Sequence, residues 1–243
     1  MAMFPFQTSE TKFIRISQAE GSFYESSKSP MDGYTKHVSK QGTVSYRRSY
    51  YKITGKLSSF KIRSQEWEDR KVTMFDVILF DREEGENGTR YFISFPLFTA
   101  NNTLSPMART FVRYYKNIRD FDQVAFAIYK DKKGYAQLAI RGFDRSKMQD
   151  IKTDWYYSFD HPEVPPMVTK TVMGKKVYDF TEQDNFFYEK LQEYMQDFAV
   201  KRENEEDPAP VDTAVAEAAN TPAPEQTGMV FNTNDMPEDD LPF

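Results

Sequence analysis

Residues 43–63 read Thr-Val-Ser-Tyr-Arg-Arg-Ser-Tyr-Tyr-Lys-Ile-Thr-Gly-Lys-Leu-Ser-Ser-Phe-Lys-Ile-Arg. Tyr51, Ile53 and Leu57 share one parity, and Lys52, Thr54, Lys56 and Ser58 share the other. That alternation predicts a half-buried strand. Gly55 and the pair Ser58-Ser59 mark a bulge, after which Phe60 and Ile62 take the opposite parity. The stretch therefore reads as one long, bent strand.

The neighbouring segments supply its partners. Residues 71–80 are mostly apolar, as in a strand covered on both faces. Residues 90–97 form a third strand, reached through an acidic, Gly-containing turn. Ser105 is placed to cap a helix running to Asn117, with Pro106 at its first position and Met107, Thr110, Phe111 and Tyr114 at helical spacing. Residues 124–130 and 135–143 read as a hairpin across Asp131-Lys132-Lys133-Gly134. In its second arm Ala136, Leu138 and Ile140 face one way, and Tyr135, Gln137, Arg141 and Phe143 the other. The expected class is mainly β. Three strands, a helix and two strands is the order of the OB-fold, a small five-stranded Greek-key barrel. A five-stranded α+β sandwich with other connections shares the same element order.

Around this core (residues 43–143) the pattern is looser. Residues 1–42 read as an arm, with a short strand at Phe13–Ile16 and an irregular, Ser- and Gly-containing stretch over 21–42. Residues 144–203 form an extension broken by Pro162, Pro165 and Pro166. It contains a hairpin around Gly174 and ends in a helix over 182–203. There Phe186, Phe187, Leu191, Tyr194, Met195 and Phe198 make an apolar stripe that predicts packing on the body or an oligomer contact. Residues 204–234 are rich in Pro, Ala, Glu and Thr and are expected to be disordered, since they cannot bury enough surface to offset their ordering entropy. Hydrophobic residues return toward the end, at Met229-Val230-Phe231 and then at Met236 and Leu241-Pro242-Phe243 of the last segment, 235–243.

The chain has 243 residues and no cysteine, which excludes disulfides and thiolate metal sites. Its two histidines, His37 and His161, do not form a zinc motif. No metal or cofactor is expected. There is no P-loop, no dinucleotide fingerprint and no compact catalytic motif, so no enzymatic activity is expected either. Nothing resembles a signal peptide, and no apolar run approaches the roughly 18 residues of a membrane span. A soluble protein of the cytoplasm is the expectation.

Charge is divided unevenly. The net charge is −5, yet all 32 Lys and Arg lie in residues 1–202, against 26 acids, while residues 203–243 carry 11 acids. A body at +6 with an acidic tail points to an anionic partner for the body, nucleic acid first. The candidate contacts interleave rings and bases: Tyr46, Arg47, Arg48, Tyr50, Lys52, Lys56, Lys61, Arg63, Trp67, Arg70 and Lys71. The hairpin adds Lys130, Lys132, Lys133, Tyr135, Gln137 and Arg141. Unpaired bases stack on rings while Lys and Arg follow the phosphates, so single-stranded DNA is the expected ligand. In OB-folds ligands cross the second and third strands, beneath the loops joining strands one–two and four–five. Trp67 is expected in the first of these loops and Lys132-Lys133 in the second.

The terminus reads Asp235-Met236-Pro237-Glu238-Asp239-Asp240-Leu241-Pro242-Phe243. Phe243 suits an apolar pocket, its α-carboxylate a basic partner, and Asp239-Asp240 a basic rim. This ending resembles the acidic tip of bacterial single-stranded-DNA-binding proteins, which typically finish Asp-Asp-Asp-Ile-Pro-Phe. In that family a disordered linker joins an OB-fold to a tip that recruits DNA-maintenance enzymes. The resemblance implies replication, recombination and repair proteins as partners docking on Asp235, Glu238, Asp239, Asp240, Leu241, Pro242 and Phe243. The long arm and the 144–203 extension depart from the usual bacterial chain and look like a divergent form, such as a bacteriophage protein using host-style docking. Neither the family's oligomeric state nor its DNA-contact positions carry over. A DNA-annealing or recombination mediator that also binds duplex or RNA, a non-DNA adaptor and a metal-dependent nuclease remain open alternatives.

Overall fold

The computed structural model describes residues 10–39, 42–67, 70–81, 88–172 and 175–204. The side chains of Trp67, Arg70, Val172, Lys175, Val177 and residues 199–204 lie outside that description, as do the expected acidic linker beyond residue 204 and the docking tip. The described residues form two compact units, 10–25 with 49–199 and 26–48 with 200–204. The chain is mainly β, and no described helix is long and apolar enough to cross a membrane.

The first unit is built on β5 (Lys52–Trp67). Its first residues, Lys52 to Gly55, pair with β8 (Val124–Lys130), and Lys56 to Trp67 pair with β6 (Arg70–Asp81). The register shifts between Leu57 and Ser59, so Ser58 is the bulge residue. Gly55 sits at the handover. A Cβ there would stand 3.1 Å from the Phe80 carbonyl carbon and oxygen and from the Leu79 Cβ, so any other residue would push β5 from β6 by a few tenths of an ångström.

β6 pairs with β7 (Thr89–Pro96), and the chain then enters α1 (Pro106–Ile118) and returns as β8 beside β5. The spatial order β8-β5-β6-β7 is a Greek key. β9 (Ala136–Asp144) and β10 (Gln149–Ile151) extend it beyond β8, while β1 (Glu10–Ser17) and β2 (Ser22–Ser27) extend it beyond β7. Within this unit the order runs β10-β9-β8-β5-β6-β7-β1-β2.

The expected closed barrel of five strands is therefore corrected to a larger, open, mixed sheet. The reason lies at the edge of β7. Its hydrogen-bonding groups are taken by β1, which runs parallel to it from Glu10↔Thr89 to Ile14↔Ile93. β1 is longer than the short strand expected at Phe13–Ile16. Residues 21–42, expected to be irregular, hold β2 and the start of a hairpin in the second unit. That hairpin joins β3 (Thr35–Val38) to β4 (Val44–Tyr50), from Thr35↔Arg47 to Val38↔Val44. The expected single strand over 43–63 is thus two, broken at Tyr51. β11 (Val168–Val172) and β12 (Lys175–Asp179) form the hairpin expected around Gly174.

α1 starts as its sequence implies: Ser105 accepts from the Ala108 N–H at 3.2 Å, and Pro106 opens the helix. Its buried face is Met107, Ala108, Phe111, Val112, Tyr115 and Ile118, one position round from the Thr110/Tyr114 stripe expected. α2 (Thr181–Asn204) lays Phe187, Leu191 and Tyr194 into the same core, so within this unit the stripe packs on the body. Rings fill the space between sheet and helices. The Phe60 ring lies 5.1 Å from Phe111, and 5.2 Å from both Tyr115 and Phe198. Phe60→Ala should therefore cost about 3–5 kcal/mol, whereas Lys61→Ala, one residue on and facing outward, should stay within about 0.5 kcal/mol. Urea unfolding of the two variants measures the difference.

Candidate nucleic-acid interface

The bulge at Ser58 decides which residues of β5 face out. Before it Ile53, Gly55 and Leu57 are buried, leaving Lys52, Thr54 and Lys56 on the opposite face. After it Phe60 faces the core, and Ser59, Lys61 and Arg63 face out. One inserted residue thus aligns Lys52, Lys56, Lys61 and Arg63 on a single face.

Ladder register extends that face across the sheet, because directly paired residues share a side. Lys56 pairs with Phe80, which pairs with Arg90; Ser59 pairs with Ile78, and Ile78 with Phe92. Phe92 pairs in turn with Phe13 of β1. Ile78 and Phe92 are buried yet stand apart from the continuous core. Phe13 covers Phe92 with ring centroids 5.4 Å apart and is itself 58% exposed. An exposed ring on an apolar footing is one end of the candidate face, with Arg15 on its own strand, Arg90 on the adjacent β7, and Lys56, Lys61 and Arg63 three strands across on β5.

One carboxylate lies within it. Asp76 is buried, accepting from Arg63 Nε at 2.6 Å and from Ser94 Oγ at 2.6 Å. Arg63 is thus committed to neutralising Asp76. Lys56, Lys61 and Lys71 are exposed and make no ion pair among the described residues. Those three are the cations open to an incoming phosphate.

The other half of β5 leads to a second group. Lys52 donates to Asp150 at 3.0 Å and lies over the Phe143 ring, and Arg141 donates to the same carboxylate at 3.3 Å. Phe143 lies on the Lys52 and Arg141 face, as its parity predicts, and is buried beneath Lys52. At the β8–β9 tip, Asp131 accepts from the N–H groups of Lys133 and Tyr135, both at 2.9 Å, and from Gln137 at 3.1 Å. Desolvation would raise the Asp131 carboxyl, but these bonds outweigh it and hold it below its ordinary value. Tyr135 and Gln137 therefore shape the turn, while Lys132 and Lys133 project from it. The Lys130 stem rests on Gly21, where φ is +65° and a Cβ would stand 2.7 Å from Lys130 Cγ.

The remaining sequence candidates fall elsewhere. Tyr46, Arg47 and Arg48 lie on β4 in the second unit. Tyr50 donates its hydroxyl to Glu25 and packs against the core. Trp67 and Arg70 pair at the end of the β5–β6 ladder, so Trp67 closes a strand rather than sitting in a loop. Their side chains lie outside the described residues, as do Asp235, Glu238, Asp239, Asp240, Leu241, Pro242 and Phe243. Phe13, Arg15 and Arg90 were absent from the sequence candidates, as was the exposed Tyr129. The only local signal for Phe13 was its alternation with Ile14 and Ile16; its place beside Phe92 depends on a parallel pairing about 80 residues apart in the chain.

Among the described residues no group of three or more metal-ligating side chains is assembled. In comparisons with protein families, curated proteins and solved structures, nothing matches the chain. Arg63→Ala should leave the Asp76 carboxylate buried without its cation and lower stability by about 1–3 kcal/mol. Chemical denaturation of Arg63→Ala beside Lys61→Ala separates this structural role from phosphate contact.

Proposed function

We propose that the protein binds single-stranded DNA without strong sequence preference, across the outer face of β5, β6, β7 and β1. The observation that carries this reading is the exposed Phe13 ring on Phe92, with Lys56 and Lys61, which make no ion pair among the described residues, on the same face two strands beyond β7. An aromatic face accepts any base, and the lysines farther across the same face meet phosphates farther along the strand. Duplex DNA keeps its bases stacked and offers such a ring nothing. The Greek-key order with a helix between its third and fourth strands supports an OB-like ancestry, with β6 and β7 in the place of the ligand-bearing second and third strands. In this reading β1 is an added strand at the edge of β7, and Lys132-Lys133 form the overhanging loop.

The C-terminal residues 235–243 serve as the docking peptide for replication and repair proteins. The tail's 11 acids are tethered to a basic body and compete with DNA for it.

Phe13→Ala should weaken binding of an oligothymidylate by about 1–3 kcal/mol. Lys61→Ala should make the dependence of log K on log salt shallower by about 0.7. Fluorescence anisotropy titrations at several salt concentrations measure both, and an affinity indifferent to Phe13 would reject this face as the site. Deleting residues 235–243 should preserve or raise DNA affinity while abolishing capture of partner proteins; a loss of DNA binding on that deletion would refute the division of labour.

A further inference from the structure

On α1, Arg113 is 6% exposed, yet its guanidinium makes no ion pair or hydrogen bond among the described residues, and its Nε is buried without a partner. Rings surround it instead. Its guanidinium carbon lies 4.3 Å from the Phe159 centroid, 4.6 Å from Trp155 and 5.1 Å from Phe187. One turn on, Lys116 lies 4.4 Å from the Tyr156 centroid. The segment carrying these rings is tied to the helix: the Tyr156 N–H donates to the Arg113 carbonyl at 2.8 Å, and Asn117 donates to the Asp154 carbonyl at 2.9 Å.

A buried cation lacking an anion is costly, and ring faces recover only part of that cost. Burial pulls the Arg113 guanidinium down to about 10, and the charge of Arg109 adds to the effect. Arg109 has its own carboxylate, Asp184, so the neighbouring acid is already used. Meanwhile Phe159 is 54% exposed and Trp155 partly so, directly over the unpaired charge. Arginine's planar fork suits a phosphate, and exposed rings beside it suit a base. A peptide of acids alone would satisfy the charge but leave the rings unused.

The geometry points to a second nucleotide-binding subsite, in which a phosphate of the bound strand meets Arg113 and Lys116 and an unpaired base stacks on Trp155 or Phe159. This rests on the proposed DNA-binding reading and lengthens the strand's path from the sheet face to the α1 side, where α1 packs on β9.

The test uses the full chain carrying Trp67→Phe, so that Trp155 is the sole tryptophan. Dye-labelled oligothymidylates of about 4–16 nucleotides are titrated while label anisotropy and Trp155 emission are followed together. The expected result is binding at all but the shortest lengths, with Trp155 quenched only by the longer strands. Phe159→Ala, at an exposed position, should then weaken the longer strands about five- to hundredfold and leave the shorter ones unchanged. Rising anisotropy with constant Trp155 emission at every length would overturn the subsite and leave the sheet face standing. No rise in anisotropy would overturn the DNA-binding reading and the subsite with it. Quenching by a synthetic peptide of residues 235–243 but not by oligonucleotides would assign the patch to an acidic peptide instead.

Discussion

The one-residue insertion at Ser58 sets the sidedness of the whole sheet. Side chains alternate with a period of two, so without the bulge Phe60 and Ile62 would turn outward and Lys61 and Arg63 would turn into the core. Burying two cations among Phe75, Phe111 and Tyr115 costs several kcal/mol for each ion, and the Phe60 burial would be lost as well. The register is therefore strongly specified. The bulge lies close to the point where β5 leaves β8 for β6, and bulges sharpen bend and twist. Gly55 completes the handover by letting the two backbones approach. Core and candidate face are consequently two readings of one local geometry.

Much of this was legible because it is local. Gly55 and Ser58-Ser59 announced the bulge, Ser105-Pro106 announced the start of α1, and alternation placed Ala136, Leu138 and Ile140 inside. What failed depended on distant partners. Ser- and Gly-containing residues 21–42 have no strong strand pattern, and β2 gains its place through pairing with β1. The expected barrel failed at one edge, because no property of β7 alone says whether β9 or β1 will take its hydrogen bonds. The helix face shifted by one position because Tyr114 and Tyr115 are both amphipathic rings, and only the packed core decides between them. The burial of Arg113 was not legible for a similar reason: the rings that bury it come from residues 155–187.

Charge in the sequence and charge at the surface proved to be different quantities. The candidate bases within 46–52 and 56–71 read as one positive face, but carboxylates from elsewhere in the chain absorb part of that charge. Asp76 occupies Arg63, and Asp150 bridges Lys52 and Arg141. These pairs fix geometry, since a half-buried pair holds both side chains in one orientation. The remaining cations, Lys56, Lys61, Lys71, Lys130 and Lys132, are exposed and mobile enough to follow a phosphate chain of varying course. A face for a sequence-tolerant ligand needs both kinds: fixed groups that hold the platform, and adaptable ones that track the backbone.

The strand that spoils the barrel is also the one that completes the candidate face. β1 occupies the edge of β7, where closure would otherwise occur, and its parallel register sets Phe13 over Phe92. Inward residues Ile14 and Ile16 anchor it in the core, so the outward ring is carried on a rigid element rather than a loop. Leaving a phenylalanine 58% exposed forfeits burial that the same strand gains at its neighbours. In the proposed reading the ring's value comes from what it meets on the outside: the bases of a single strand cover it, and the phosphates reach the lysines that no carboxylate among the described residues has claimed.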